Sequence, residues 1–240
     1  MTLAEIINKR RSIRKFDINH DFDHAVVTKS LELTLLSPNS SNLQTWEFYR
    51  IKDKNKIKSL VPLCLNQNAA RTASELVVFV SRKDLWKKRA DLHLNTILNE
   101  QAQGLGDEKK HQKGIRYYKK SIPFLYKAGW LHVFTVIRWA HLVYQHIRGK
   151  YLINWVTSSD TRVVSHKSIG IAAGYFMLCM TDLGYDTCPM EGIDEIKIKK
   201  HLHLPASSEI SMIIACGKGL PEGIYYERKR LPYDEVVFEI

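Results

Sequence analysis

Lys9-Arg10-Arg11-Ser12-Ile13-Arg14-Lys15-Phe16 crowds five cationic side chains and a hydroxyl into eight residues. Each arginine offers a planar, permanently charged fork of donors that fits a pair of phosphate oxygens. A cluster like this so early in the chain asks for an anionic partner, whether a small phosphate, a nucleic acid or a lipid. Just upstream, Thr2-Leu3-Ala4-Glu5 matches a capping box, with Thr2 as the cap and Glu5 reaching back. Leu3, Ile6 and Ile7 then recur at helical spacing. The cluster therefore ends a short first helix, where cations suit the dipole, and a solvated helix end is its bland alternative.

Downstream, apolar residues at Val26, Val27, Leu31, Leu33, Leu35 and Leu36 predict a second helix over 23–36, stopped by Ser37-Pro38. The next segment, Ser37-Pro38-Asn39-Ser40-Ser41-Asn42-Leu43-Gln44, is dense in short polar side chains that either make turns or hydrogen-bond a ligand. Alternation over 46–51 predicts a strand. Asn66-Gln67-Asn68 precedes a short helix, and the unbroken run 76–80 reads as a strand covered on both faces. Residues 83–119 are largely helical and highly charged from Gly106 onward; 121–152 are helical and rich in aromatics. A helix over 168–183 carries Gly170 and Gly174, which permit close approach by another helix or subunit. It leads into Cys188-Pro189-Met190-Glu191-Gly192, read as a tight loop. A central strand follows at 210–216, and 236–238 form a final strand or an extended arm.

Strands separated by long helical segments favour an α/β or α+β sheet covered by helices. With 240 residues, 45% of them hydrophobic, the chain can bury a sizeable core, and a single domain over 1–240 is the simplest account. The net charge of +11 favours anionic ligands without naming one. No GxGxxG follows a strand and no GxxxxGK[ST] occurs; Gly217-Lys218-Gly219 is a turn. Cys64, Cys179, Cys188 and Cys216 lack metal-ligand spacing and read as reduced, buried thiols of a cytoplasmic protein, with no metal site. Glu5 interrupts any secretory apolar run. The apolar stretch 122–147 contains Lys127, His132, Arg138, His141 and His146, so it falls short of the roughly 18 residues of a membrane span.

Four motifs stand in order: Arg-Arg-Ser-x-Arg at 10–14, Pro-Asn-Ser-Ser-Asn at 38–42, Pro-Met-Glu-Gly at 189–192 and Arg-x-Arg-Leu-Pro at 228–232. Together they resemble the FMN-dependent nitroreductase family over nearly the whole chain, least from 83 to 165. The resemblance implies an α+β fold: a central, mostly antiparallel sheet flanked by helices, with the C-terminal arm exchanged in a homodimer that holds FMN at its interface. It assigns Arg10, Ser12 and Arg230 to the FMN phosphate and ribityl chain, Arg228 to a nearby basic position, Arg11 to additional donors, and Arg14 to the flavin N1 and O2 edge. Pro38, Asn39, Ser40 and Asn42 resemble the segment that reaches the flavin from the other subunit, with Asn39 where Ser is more usual and Thr45 in place of a frequent Pro. Asn66 and Gln67 match the pyrimidine edge, although Ala69 stands where some members carry Lys. Pro189, Met190, Glu191 and Gly192 resemble the loop over one ring face, with the Glu191 and Gly192 N–H groups at N5 and O4.

What the resemblance implies is a ping-pong oxidoreductase. NADH or NADPH gives hydride to the flavin, which reduces a nitroaromatic, quinone or similar small acceptor, with no protein nucleophile and no catalytic histidine. Residues 106–140 form a variable lid, with Tyr117, Tyr118, Phe124 and Trp130 as candidate liners. The basic residues around them (Lys109, Lys110, Arg116, Lys119 and Lys120) either attract nucleotide phosphates or form a solvated face. Dehalogenation, flavin fragmentation or peptide oxidation on the same fold are alternatives, as is flavin binding without turnover. A basic nucleic-acid-binding module, set apart by steep salt dependence, is a weaker one; neither nucleic acid nor membrane is expected as a partner.

Overall fold

A computed structural model describes residues 1–127, 133–150 and 157–240. In chain order the helices and strands are α1 (Leu3–Lys9), α2 (His24–Thr34), β1 (Trp46–Ile51), α3 (Lys54–Leu60), α4 (Asn68–Thr72), β2 (Glu75–Ser81), α5 (Trp86–Ala102), α6 (Glu108–Arg116), α7 (Ile122–Tyr126), α8 (Val133–Ile147), α9 (Ser158–Asp182), β3 (Asp186–Met190), α10 (Glu195–His201) and β4 (Glu209–Gly217). A π-helical turn at Tyr117–Ser121 joins α6 to α7. The strands form one antiparallel sheet in the order β1-β2-β4-β3, the α+β architecture expected.

Every residue of β2 is buried, as its unbroken apolar run requires of a strand covered on both faces. Alternation splits its side chains between two cores. Val77 and Phe79 join Ile214 of β4 against Ile169, Phe176 and Met180 of α9. Leu76, Val78 and Val80 pack with Ile213 against Leu60 of α3, Ala70 of α4 and Ile198 of α10. Each large side chain fully buried this way contributes about 1.5–3 kcal/mol. A third, smaller cluster ties Leu43 to Ala90 of α5 and to Ile122 and Leu125 of α7.

Helix α9 begins ten residues earlier than its apolar periodicity indicates. Thr157 and Asp160 form a capping box there. The first turns bury the hydroxyl residues Thr161 and Ser165 and a single apolar one, Val164, with Arg162, His166 and Lys167 between them, so the hydrophobic pattern is weak. Among the described residues α9 is the helix long and apolar enough to cross a membrane, by length and composition. Here its apolar stripe is spent on the sheet. Its other face leaves Val163, Ile171 and Tyr175 exposed, and a Cβ at Gly170 or Gly174 would meet nothing within 4 Å.

Two further corrections concern the C-terminal half. Cys188, Pro189 and Met190 are not loop but the end of β3. Proline is tolerated because β3 is the edge strand: Thr187 turns its carbonyl outward to accept from the Ile13 N–H at 3.1 Å, so Pro189, two residues on, has no ladder bond to donate. Of the two readings of 236–238 the strand fails and the exposed arm remains; the segment after Tyr225 carries one 3₁₀ turn, Tyr233–Glu235.

Both ends of the chain fasten to the β3–β4 edge. Ser12 bridges Thr187 in parallel fashion and Phe16 bridges Gly219. Phe16 is fully buried, and a Cβ on Gly217 would come within 2.8 Å of its ring, so only glycine permits the contact.

Candidate functional site

The bridge at Ser12 delivers the basic cluster to the edge of the sheet, beside the chain's last residues. Arg228 Nη2 donates to the carbonyls of Asn8 (2.9 Å) and Arg10 (2.7 Å). Arg11 Nη2 donates to the Tyr226 carbonyl at 2.7 Å. Among the described residues Arg230 bonds only the carbonyl of its neighbour Lys229. Burial lowers the pKa of the Arg10 guanidinium, and the charges of Arg228, Arg230 and Arg11 push the same way. Four guanidinium groups from opposite ends of the chain thus repel one another at one spot. Among the described residues none of them has a carboxylate partner. Such an arrangement is stabilised by a dianion placed among the donors, and a phosphate fits that requirement.

Arg14 lies over the Tyr225 ring, 5.3 Å from its centroid. The Tyr225 hydroxyl accepts from Asn68 Nδ2 at 3.0 Å, and Gln67 Nε2 donates to the Gly192 carbonyl at 2.9 Å. A continuous chain of contacts therefore joins the arginines, the Asn66–Gln67 segment and the Glu191–Gly192 turn. Cys188 lies beneath them; burial raises its thiol pKa while Arg14 and Arg10 oppose the rise. The described residues contain no group of three His, Cys, Asp or Glu side chains able to hold a metal ion.

The 38–42 loop is elsewhere. It precedes β1, whose Trp46 pairs with Ser81 of β2, and Ser81 pairs with Glu209 at the start of β4. The arginines lie by Thr187, which pairs with Cys216 near the end of β4. Glu209 and Cys216 are seven steps apart on β4, which at about 3.3 Å each separates the two groups by roughly 23 Å along the strand. Within one chain, the sequence-predicted site is split in two.

The loop is held by hydroxyls. Thr45 Oγ1 and Ser81 Oγ both meet the buried Ser165 Oγ, at 3.0 and 2.8 Å, and Ser168 Oγ accepts from the Ser40 N–H at 3.3 Å. Asn39 spends its side chain internally, accepting from the Gln44 N–H at 2.9 Å. Ser41, Asn42 and Gln44 hold φ of 56°, 51° and 46°, strained for residues with a Cβ.

The following helices brace that backbone. Tyr117 OH pairs with Ser41 Oγ at 2.6 Å, and Tyr118 OH donates to the Ser41 carbonyl at 3.0 Å. His93 Nε2 lies 2.6 Å from the Asn42 carbonyl, an acceptor, which puts the imidazole proton on Nε2. Tyr118 stacks on His93, and its hydroxyl pKa is raised by burial and then by Tyr117. Sequence reasoning missed Thr45, Ser165 and His93 as supports, because isolated hydroxyls and a lone histidine carry no motif. Of the candidate lid liners, Tyr117, Tyr118 and Phe124 are at least partly exposed, whereas Trp130 lies outside the described residues.

Comparison with known proteins decides what this arrangement belongs to. The Nitroreductase family profile matches residues 7–218, spanning the basic cluster, the loop and the 189–192 turn. The chain belongs to the nitroreductase family. Protein DrgA of Synechocystis is 25% identical over 91% of this chain and 84% of its own length. The oxygen-insensitive NADPH nitroreductase of Helicobacter pylori is 23% identical, over 94% of this chain and 91% of its own length. Among solved structures, one from Exiguobacterium sibiricum in complex with FMN shares the fold at a TM-score of 0.71 and 22% identity, covering 100% of this chain and 98% of that one. The nitroreductase profile stops short of Arg228 and Arg230, yet the structure brings both against Arg10.

Proposed function

We propose that this nitroreductase-family chain is an FMN-dependent NAD(P)H oxidoreductase whose flavin site is completed in a homodimer. One observation carries the reading: Arg10, Arg11, Arg228 and Arg230, remote in sequence, converge with no carboxylate partner among the described residues. The FMN-bound structural neighbour and the NADPH named in the relative from Helicobacter support it. When bound, FMN would supply the capacity to take a hydride from NADH or NADPH and pass electrons to a nitroaromatic, quinone or similar acceptor.

The chain's own residues would bind and orient. Arg10, Ser12 and Arg230 would hold the phosphate, with Arg11 adding donors. Arg228, spent on two backbone carbonyls, acts as a brace that sets Arg10 in place. Arg14, steadied by Tyr225, would put a fixed positive charge where a reduced flavin is anionic. Asn66 and Gln67 would face the pyrimidine edge, and Gln67 also fixes the Glu191–Gly192 turn that, with Pro189 and Met190, would cover one ring face.

Pro38, Asn39, Ser40 and Asn42 would come from the partner subunit, which accounts for their distance from the arginines. The exposed outer face of α9, with Gly170 and Gly174 open to solvent, is a surface on which helices can approach closely. In this reading 1–240 is one domain, 106–140 lies over the acceptor site, and four free thiols, three of them buried, suit a reducing cytoplasm.

The test is a visible spectrum of the purified protein before and after anaerobic addition of NADH or NADPH. A yellow preparation that one of them bleaches, and that nitrobenzoate or a quinone then recolours, is the expected result. A colourless protein that takes up no added FMN overturns the reading.

A further inference from the structure

At the C-terminal end of α4, the other end from the Asn66–Gln67 segment, the structure contains a cavity of about 780 Å3 that the flavin reading leaves unused. It lies between the segment before α2, helix α3 and the end of α4. Small-molecule sites commonly occupy about 300–1,000 Å3. Its floor is apolar: Phe22, Ile57 and Val61 are each at least nine-tenths buried. Its rim is cationic, with Lys52, Lys54, Lys58 and Arg71. Residues 54, 57, 58 and 61 share one side of α3 by helical spacing, so this face alternates charge and grease.

The charge is uncompensated. Asp21 is the one carboxylate in the lining, and Lys52, Lys54 and Lys58 make no ion pair among the described residues. Of the carboxylates adjoining the lining residues in sequence, Asp53 caps α3 through the Lys56 N–H, and Glu75 is consumed by Arg50 and His24. His20 and His24 complete the polar wall and add no negative charge.

We infer that this cavity binds an amphiphilic organic anion, with a carboxylate or phosphate-monoester head among the lysines and Arg71 and an apolar body on Phe22, Ile57 and Val61. Neither half of the lining explains the other without such a ligand: a neutral apolar molecule leaves the cations unused, and a bare inorganic anion leaves the floor wet. Arg71 also donates to the Asn66 carbonyl at 3.3 Å, so an occupant that recruits its guanidinium pulls on the segment leading to Gln67. Binding itself does not depend on the flavin.

Isothermal titration of the full chain with octanoate, octyl phosphate and 1-octanol, in the presence and absence of saturating FMN, tests this. One site per chain for at least one anion is expected, with 1-octanol at least about tenfold weaker because charge-assisted contacts are missing. The head group that binds tighter identifies the source as carboxylate or phosphate. K54E/K58E, reversing two exposed charges, lowers anion affinity at least about tenfold with an unchanged melting temperature. Should the double reversal fold poorly, Lys52→Gln provides the same test with a smaller drop. Absence of binding by both anions, equal affinity for 1-octanol, variants that bind like the parent, or displacement of both anions by FMN would each overturn the assignment.

Discussion

The two ends of the sheet, which carry the two halves of the candidate site, are built in opposite ways. At the β3 end, charge is concentrated: among the described residues four guanidinium groups lie together without a carboxylate partner, and left-handed non-glycine backbone is confined to Leu65 and Asn66 in the adjoining segment. At the β1 end, charge is paired off. Arg82 bonds Glu47 and Asp84, and Arg162 and His166 bond Glu209. What is concentrated there is backbone strain, pinned by serine and tyrosine hydroxyls. Uncompensated charge is a costly state that a bound anion relieves, whereas pinned strain presents fixed donors and acceptors at no later cost in ordering. One end is built to attract and the other to position, and in the homodimer proposed above a second chain would bring them face to face.

The largest expected effect comes from removing a buried carboxylate of β2 that ties β1 and α2 to the sheet. Glu75 is fully buried and meets Arg50 Nε at 2.6 Å and His24 Nδ1 at 2.5 Å. Glu75→Ala leaves Arg50 without its partner and is expected to cost about 3 kcal/mol in urea denaturation of the flavin-free protein. Next comes Arg230→Ala, which should weaken FMN retention by about 1.5–3 kcal/mol through loss of a charge-assisted contact. Equilibrium dialysis at low and high salt reads it, and the melting temperature without flavin should not move. An unaltered flavin affinity would remove Arg230 from the cradle.

Ser165→Ala is the matching change at the β1 end. It leaves the Thr45 and Ser81 hydroxyls unpaired in the core and should cost about 2 kcal/mol of stability, with a smaller effect on flavin than Arg230→Ala. Acid should separate the ends as well. Burial raises the Glu209 carboxyl pKa, but hydrogen bonds from His166 and Arg162 outweigh it and leave the group below its usual value. A depressed carboxyl stabilises the fold above its ordinary pKa near 4.5 and loses that contribution as pH falls through the lowered one. Asp84 behaves likewise: burial acts upward, while Arg82 and Ser207 pull it down further. Hydrogen exchange between pH 5 and pH 3 should therefore show the β1 end opening before the arginine end. The smallest expected effect is a gain: Leu65 is exposed at φ 54°, and Leu65→Gly should stabilise by about 0.5–1 kcal/mol in thermal melts.

Much of this was legible before any coordinates. Alternation located β1 to the residue, and the run at 76–80 placed β2 with both faces covered. The arginine motifs named the residues that converge. What stayed hidden depends on contacts between distant segments. Ten residues of α9 were missed because the helix buries hydroxyls there, and those hydroxyls matter only beside Thr45 and Ser81. Residues 188–190 resemble a loop because Pro189 argues against a strand, and only the neighbouring Ile13 shows that its missing N–H faces outward. The separation of the arginines from the 38–42 loop is invisible in a motif list, since order along the chain says nothing about which end of a sheet a residue occupies.

Pro189 has a consequence for assembly. A bare sheet margin invites a neighbour's backbone to continue the ladder. Here the outer margin of β3 is occupied at Thr187 by the chain's own Ile13, and two positions on it offers a ring in place of a donor. Copies of this protein are thereby barred from zipping edge to edge along β3. This keeps the flank beside the basic cluster free of intruding strands.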